Sequence, residues 1–158
     1  MKSTILLLLL LAPVTFAQKP KPVSAERAAA DAAWPGFFKT FKEAVAHRDQ
    51  AALKKMMVRD FFFSGGSDDN GDGDTRDEAF KFLADPQVRG WKEFDKVLAM
   101  GAVPSSPNPN ADGKKYISRV APPAARKIRD LSNAPPWIAS FEYRNGQWYC
   151  TSFSECCD

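Results

Sequence analysis

Apolar side chains recur along this chain in two rhythms, and each change of rhythm marks the boundary of an element. From Trp34 the spacing is helical: Pro35 suits a first helical position, and Phe37, Phe38, Phe41 and Val45 follow on one side of a helix over residues 35–48. Asp49 is placed to cap a second, short helix with Leu53, Met56 and Met57 turned inward. The segment "DFFFSGG" then changes to the pleated rhythm of a short strand, which Gly65 and Gly66 end. Thr75 and Glu78 have the spacing of a capping box, and Phe80, Phe82 and Leu83 supply the inward side of the helix behind it. Asp85-Pro86 restarts the chain in a further helix, with Trp91, Phe94, Val97 and Leu98 as its apolar face and Gly101 at its end.

Beyond that point the rhythm weakens. "AVPSSPNPNADG" over residues 102–113 reads as an exposed loop, "KKYISRV" as a strand, and "APPAARKIRDLSNAPP" as one helical turn between two Pro pairs. The end of the chain is the clearest signal. "WIASFEYRNGQWYCTSF" is two extended runs joined by Asn145-Gly146, the pair that a two-residue type I′ turn requires because both central positions need positive φ. Placing Arg144 opposite Gln147 sets Tyr143 against Trp148 and Phe141 against Cys150, so Trp137, Ala139, Phe141, Tyr143, Trp148 and Cys150 share a core face. The pattern predicts one α+β domain over residues 34–158, with N-terminal helices packed on one face of an antiparallel sheet that ends in a β-hairpin.

The N-terminal segment has a different character. Lys2, the apolar run over residues 5–11, and the small residues Thr15 and Ala17 predict a signal peptide over residues 1–17, a mature start at Gln18, and a secreted or periplasmic destination. The run is shorter than the roughly 20 residues that span a bilayer, and no membrane span is expected. Residues 18–33, rich in Pro, Lys and Ala, read as a flexible linker ending in an Ala-rich helical turn. Removing residues 1–17 takes away Lys2 alone and leaves 21 basic against 19 acidic residues, a net charge of +2. Six acids against Arg76 make residues 68–78 locally −5, which leaves +7 elsewhere. Those bases are scattered singly and in pairs, without the stripe interleaved with aromatics that nucleic-acid binding uses, and no nucleic-acid partner is expected.

The segments "FKEAVAHRDQAALKKMMVRDFFFSGG", "DTRDEAFKFL" and "FEYRNGQWYCTSF" together resemble the nuclear-transport-factor-2-like superfamily, in particular its SnoaL-like, polyketide-cyclase-like members. The resemblance lies in a helix, an Asp-started second helix, an aromatic strand, a third helix, and a terminal hairpin with Gly-x-Trp after its turn. It implies a curved sheet with a cone-shaped pocket and, for its enzymes, a pocket Asp with hydrogen-bonding Tyr. The middle departs from that pattern: "WKEFDKVLAMG" and residues 101–136 stand where paired strands are expected. No catalytic residue is carried over.

Four groups of residues carry candidate chemistry. Asp68, Asn70, Asp72, Gly73 and Asp74 fit positions 1, 3, 5, 6 and 7 of a hand-type calcium loop, but position 12 is Ala79, leaving Asp77 or Glu78 to close the shell. The same Asp, Asn and Gly composition also suits an exposed turn leading into a helix. Cys150 with Cys156 or Cys157 would fasten the C-terminal tail to the hairpin in an oxidising compartment. His47, the sole histidine, sits at a helix end, where it meets carbonyls or water. Asp60, Asp95 and Glu142 are the non-loop carboxylates available for acid-base work, each also explicable as a cap or a surface charge.

The fourth group is aromatic. Twelve Phe and four Trp are many for this length, and Phe61, Phe63, Trp91, Phe94, Trp137 and Trp148 either line a pocket for a small apolar ligand or form the core. The reading is a non-enzymatic module that binds a small ligand or a protein partner. The alternatives are a domain stabilised by calcium through residues 68–78 and an acid-base enzyme of the cyclase or isomerase kind. Calcium separates the second from the others: if the loop holds the ion, the thermal midpoint rises in millimolar calcium relative to chelator, and an unchanged midpoint removes that reading.

Overall fold

The computed structural model describes residues 24–65, 73, 75–106, 116–127 and 135–155. The predicted signal peptide and residues 18–23 lie outside them. Helix α1 (Ala25–Ala46) begins well before Trp34, capped by the Ser24 side chain, which accepts from the Arg27 N–H at 3.2 Å. The linker expected over residues 18–33 is therefore helical from Ala25. Alanine is the strongest helix former, and Ala30 and Trp34 are both buried, which anchors these turns to the domain. Pro35 stands inside the helix rather than at its start, and it lacks the N–H that would donate to the Asp31 carbonyl. The exposed His47 closes the helix, its N–H donating to the Glu43 carbonyl at 3.0 Å.

Asp49 caps α2 (Gln50–Met56), its carboxylate accepting from the Ala52 N–H at 3.0 Å. Strand β1 (Met57–Ser64) starts earlier than the aromatic run suggested, and Met57 is its buried first residue rather than the last of the helix. Helix α3 (Arg76–Ala84) is capped by Thr75, whose hydroxyl accepts from the Glu78 N–H and donates to the Glu78 carboxylate at 2.7 Å. Helix α4 (Gly90–Ala99) begins four residues after Pro86. Asp85 first captures the Gln87 N–H at 2.7 Å, and Arg89 adopts the left-handed conformation with φ 54°, so the chain turns before the helix starts. At Gly90 a Cβ would lie 2.8 Å from the Leu83 Cα, closer than side chains approach backbone, and glycine lets α4 cross α3 there.

The predicted exposed loop contains a strand. β2 (Val103–Ser105) pairs antiparallel with β3 (Ile117–Ala121), matching Val103 to Val120 and Ser105 to Ser118. Residues 107–113 of that loop lie outside the described residues. A 3-10 turn (Pro123–Lys127) follows, within the segment expected to hold one helical turn. β4 (Trp137–Arg144) and β5 (Gln147–Glu155) form the expected hairpin, with Asn145 at φ 51°, Gly146 at φ 85°, and pairs Arg144–Gln147, Tyr143–Trp148 and Phe141–Cys150. The sheet runs β1-β5-β4-β3-β2 and is antiparallel except at one edge, where β1 lies parallel to β5. Helices and a long stretch of chain separate those two strands, which gives room for the crossover that a parallel pair needs.

The helices cover one face of this sheet. Trp137, Ala139, Phe141 and Tyr143 of β4 join Trp148, Cys150 and Phe153 of β5 in one buried cluster with Phe41 of α1, Phe80 and Leu83 of α3, and Phe94 and Leu98 of α4. Gly90→Ala is expected to cost about 1–3 kcal/mol by forcing α4 off Leu83. Gly36→Ala, in α1 with no atom within 4 Å of the new methyl, should instead gain up to about 1 kcal/mol of helix propensity. Denaturation midpoints of the two variants test this close approach, and equal effects would contradict it.

Candidate functional site

The six aromatics expected to line a pocket are all buried, none more than 8% exposed. Phe94 stacks on Phe153 with ring centres 4.2 Å apart, and Phe153 stacks on Trp137 at 4.8 Å. Trp137 meets Phe82, which meets Phe63 at 5.0 Å, while Phe80 stacks against Trp91. Phe61 is fully enclosed, and Trp148 closes the opposite end against Trp34 at 4.8 Å. Around these six residues the space between helices and sheet is filled by rings, the core arrangement among the two that the sequence left open.

One of the six reaches an opening. Trp137 lies at the rim of a cleft of about 320 Å³ lined by Gly65, Gln87, Val88, Arg89, Glu93 and Glu155. Its position follows from the topology: β4 begins at Trp137 opposite Glu155 at the end of β5, and the turn between α3 and α4 supplies Gln87, Val88 and Arg89. Glu93 is ion-paired to Lys96 at 2.6 Å. Arg89 is the N-cap residue of α4 and lines the cleft, which sets the positive end of that helix beside it. The cleft therefore combines an indole edge, both signs of charge and an amide side chain.

Of the six aromatics singled out in the sequence, Trp137 alone lines this cleft, and its polar neighbours were not foreseen. Gln87, Arg89, Glu93 and Glu155 are polar residues in a turn, on a helix and at a strand end, and local spacing does not reveal that they converge. A second groove, of about 380 Å³, lies beside Arg59, Thr75, Arg76 and Asp77. Three of its four lining residues, Thr75, Arg76 and Asp77, are already engaged. Arg76 donates to the Lys54 carbonyl at 2.5 Å, and Asp77 pairs with Lys54 at 2.6 Å. The hydrogen bond from Lys54, reinforced by its charge, holds the Asp77 carboxyl below its ordinary range.

The remaining candidates stand apart from the cleft. Asp68, Asn70, Asp72 and Asp74 lie outside the described residues, and Glu78 is engaged with Thr75. Among the described residues no group of three or more His, Cys, Asp or Glu gathers. Asp60 and Asp95 are exposed, and Glu142 holds Arg144 at 2.6 Å. Cys150 is a free, buried thiol whose sulfur lies 3.7 Å from the Ser152 carbonyl, and burial pushes its pKa well above the ordinary thiol range.

Cys156 and Cys157 lie outside the described residues, and the predicted tail disulfide with Cys150 lies outside them as well.

No family profile and no curated protein sequence matches the chain. The chain is similar to solved structures of the nuclear-transport-factor-2-like type at low identity. A designed protein of that type, Rd1NTF2_05 in a multiply substituted variant, is 16% identical with a TM-score of 0.38, covering 76% of this chain and 93% of its own. An uncharacterised protein with a cystatin-like fold from Caulobacter vibrioides is 11% identical with a TM-score of 0.36, over 82% and 90% of the two chains. A proposed polyketide cyclase from Sinorhizobium meliloti is 14% identical with a TM-score of 0.31, over 76% and 93%. These superpositions are too loose to transfer a site or a reaction.

Proposed function

We propose that this chain is an exported binding module that takes a small ligand in the cleft beside Trp137. The observation that carries the proposal is the cleft itself. Its volume of about 320 Å³ falls at the lower end of the range of small-molecule sites. An indole edge offers contact to a flat or apolar portion of a ligand, and Arg89, Glu93, Glu155 and Gln87 offer polar contacts around it. A small molecule with one apolar side and several polar groups suits this lining better than a purely apolar one. Export rests on the N-terminal pattern of Lys2, the apolar run and Ala17.

Two measurements test this. Expression of the full chain in a bacterial host should give a secreted or periplasmic product whose intact mass starts at Gln18; retention of Met1 in the cytoplasm would count against export. Fragment screening by ligand-observed NMR should yield polar aromatic binders that perturb the Trp137 indole resonance. Val88→Trp, which fills the cleft, should weaken them at least tenfold while the thermal midpoint stays near that of the parent. Binding unaffected by Val88→Trp sinks the assignment of the site.

A further inference from the structure

Arg119 occupies a position where the sheet calls for an apolar residue. It lies on the core-facing side of β3, paired with Phe141, yet its side chain is charged and only 13% exposed. Aromatic rings accommodate the charge. The guanidinium carbon sits 4.9 Å from the centre of the Trp34 ring and 5.9 Å from that of Trp148, within the range of cation–π attraction. Its Nη2 donates to Asp31 on α1 at 2.8 Å, a carboxylate that remains 45% exposed.

The adjoining donor is different: Nε of Arg119 is buried and meets no acceptor among the described residues. Nε and Nη2 form one edge of the guanidinium fork, and oxyanions are held most strongly when they engage an edge through both donors. Arg144 uses the same edge in full, with Nε at 2.8 Å and Nη2 at 2.6 Å from one oxygen of Glu142. Asp31 engages Arg119 through Nη2 alone. Helix α1 holds the Asp31 backbone in place, because Trp148 donates its indole N–H to the neighbouring Ala30 carbonyl at 2.8 Å.

We infer that the Nε–Nη2 edge of Arg119 is a binding site for a small carboxylate, with Asp31 as its one-pronged internal occupant. Because Nε is buried, an external carboxylate takes both donors only as the side chains covering that edge part, and it then satisfies Nε and displaces Asp31 toward solvent. The site is separate from the cleft at Trp137, since Trp137 and Phe141 are four residues apart on β4, about 13 Å.

The test follows the Arg119 Nε–H and Trp148 indole N–H resonances of the full chain during titration with benzoate, its neutral counterpart benzamide, and sodium chloride at matched ionic strength. Benzoate is expected to move the Arg119 Nε–H resonance of the parent at tens of millimolar, with affinity rising at least tenfold in Asp31→Asn. Benzamide and chloride should leave it in place, and Asp31→Asn combined with Arg119→Gln should abolish binding of benzoate. An unchanged Trp148 resonance certifies that the variants keep the α1 contact. The inference is overturned if benzoate leaves Arg119 unmoved in both parent and folded Asp31→Asn, or if benzamide acts as benzoate does. Should Asp31→Asn lose the Trp148 contact, the parent titration against chloride decides alone.

Discussion

A continuous file of rings organises the interior, running from Trp148 through Trp34, Phe141, Phe41, Phe94 and Phe153 to Trp137. Aromatic pairs prefer edge-on or offset arrangements, each contributing about 0.5–1.5 kcal/mol beyond simple burial. Each ring therefore constrains the tilt of the next. The file takes two members from α1, one from α4, two from β4 and two from β5, so none of these elements can shift without disturbing a neighbour's contact. Seating Phe94 this deeply brings α4 close to α3, where Gly90 meets Leu83. Because the rings fill the space under the helices, the polar groups of the cleft and of Arg119 lie at the two ends of the file.

The Trp148 end explains the length of α1. A buried indole N–H must find an acceptor, since an unsatisfied donor costs about 1–3 kcal/mol. The Ala30 carbonyl supplies it, and that requires α1 to continue past Trp34 in the N-terminal direction. The same extension carries Asp31 to Arg119, which neutralises a charge otherwise too costly to hold against the core. The helical turns over residues 25–33 are thus fixed by groups on β3 and β5, more than a hundred residues away for Trp148, rather than by an apolar stripe of their own.

That distance also explains what local sequence could show. The hairpin was legible down to its register because Asn145-Gly146 forces the turn and the alternation through Phe141 and Tyr143 fixes the face. The caps at Asp49 and Thr75 were legible because each acts within three residues. Residues 25–33 were not, since alanine provides almost no contrast between faces. Strand β2 was hidden by its Pro and Ser content and by pairing with β3 across a long stretch of chain. Arg119 in "KKYISRV" resembled one more surface cation, because only its partners Phe141, Trp34 and Asp31 place it inward. The aromatics were identified as a group, but whether rings enclose a space or fill it depends on the distances between elements, which periodicity does not contain.

The two ends of the file differ in what a ligand would meet. At Trp137 the last ring borders an open cleft, and occupancy there depends on fit to Arg89, Glu93 and Glu155 without displacing any contact of the file. At Trp148 the file is capped by α1, and an incoming anion competes with a carboxylate already held at 2.8 Å by the same chain. Binding at the first end would be limited by shape, and at the second by an internal competitor present at high effective concentration. Contact along the file does not by itself link the two events. Coupling requires an element with two discrete arrangements that both ligands bias, whereas these close-packed rings show one. The physical expectation is two independent sites on one rigid core, with the ring file holding each in place.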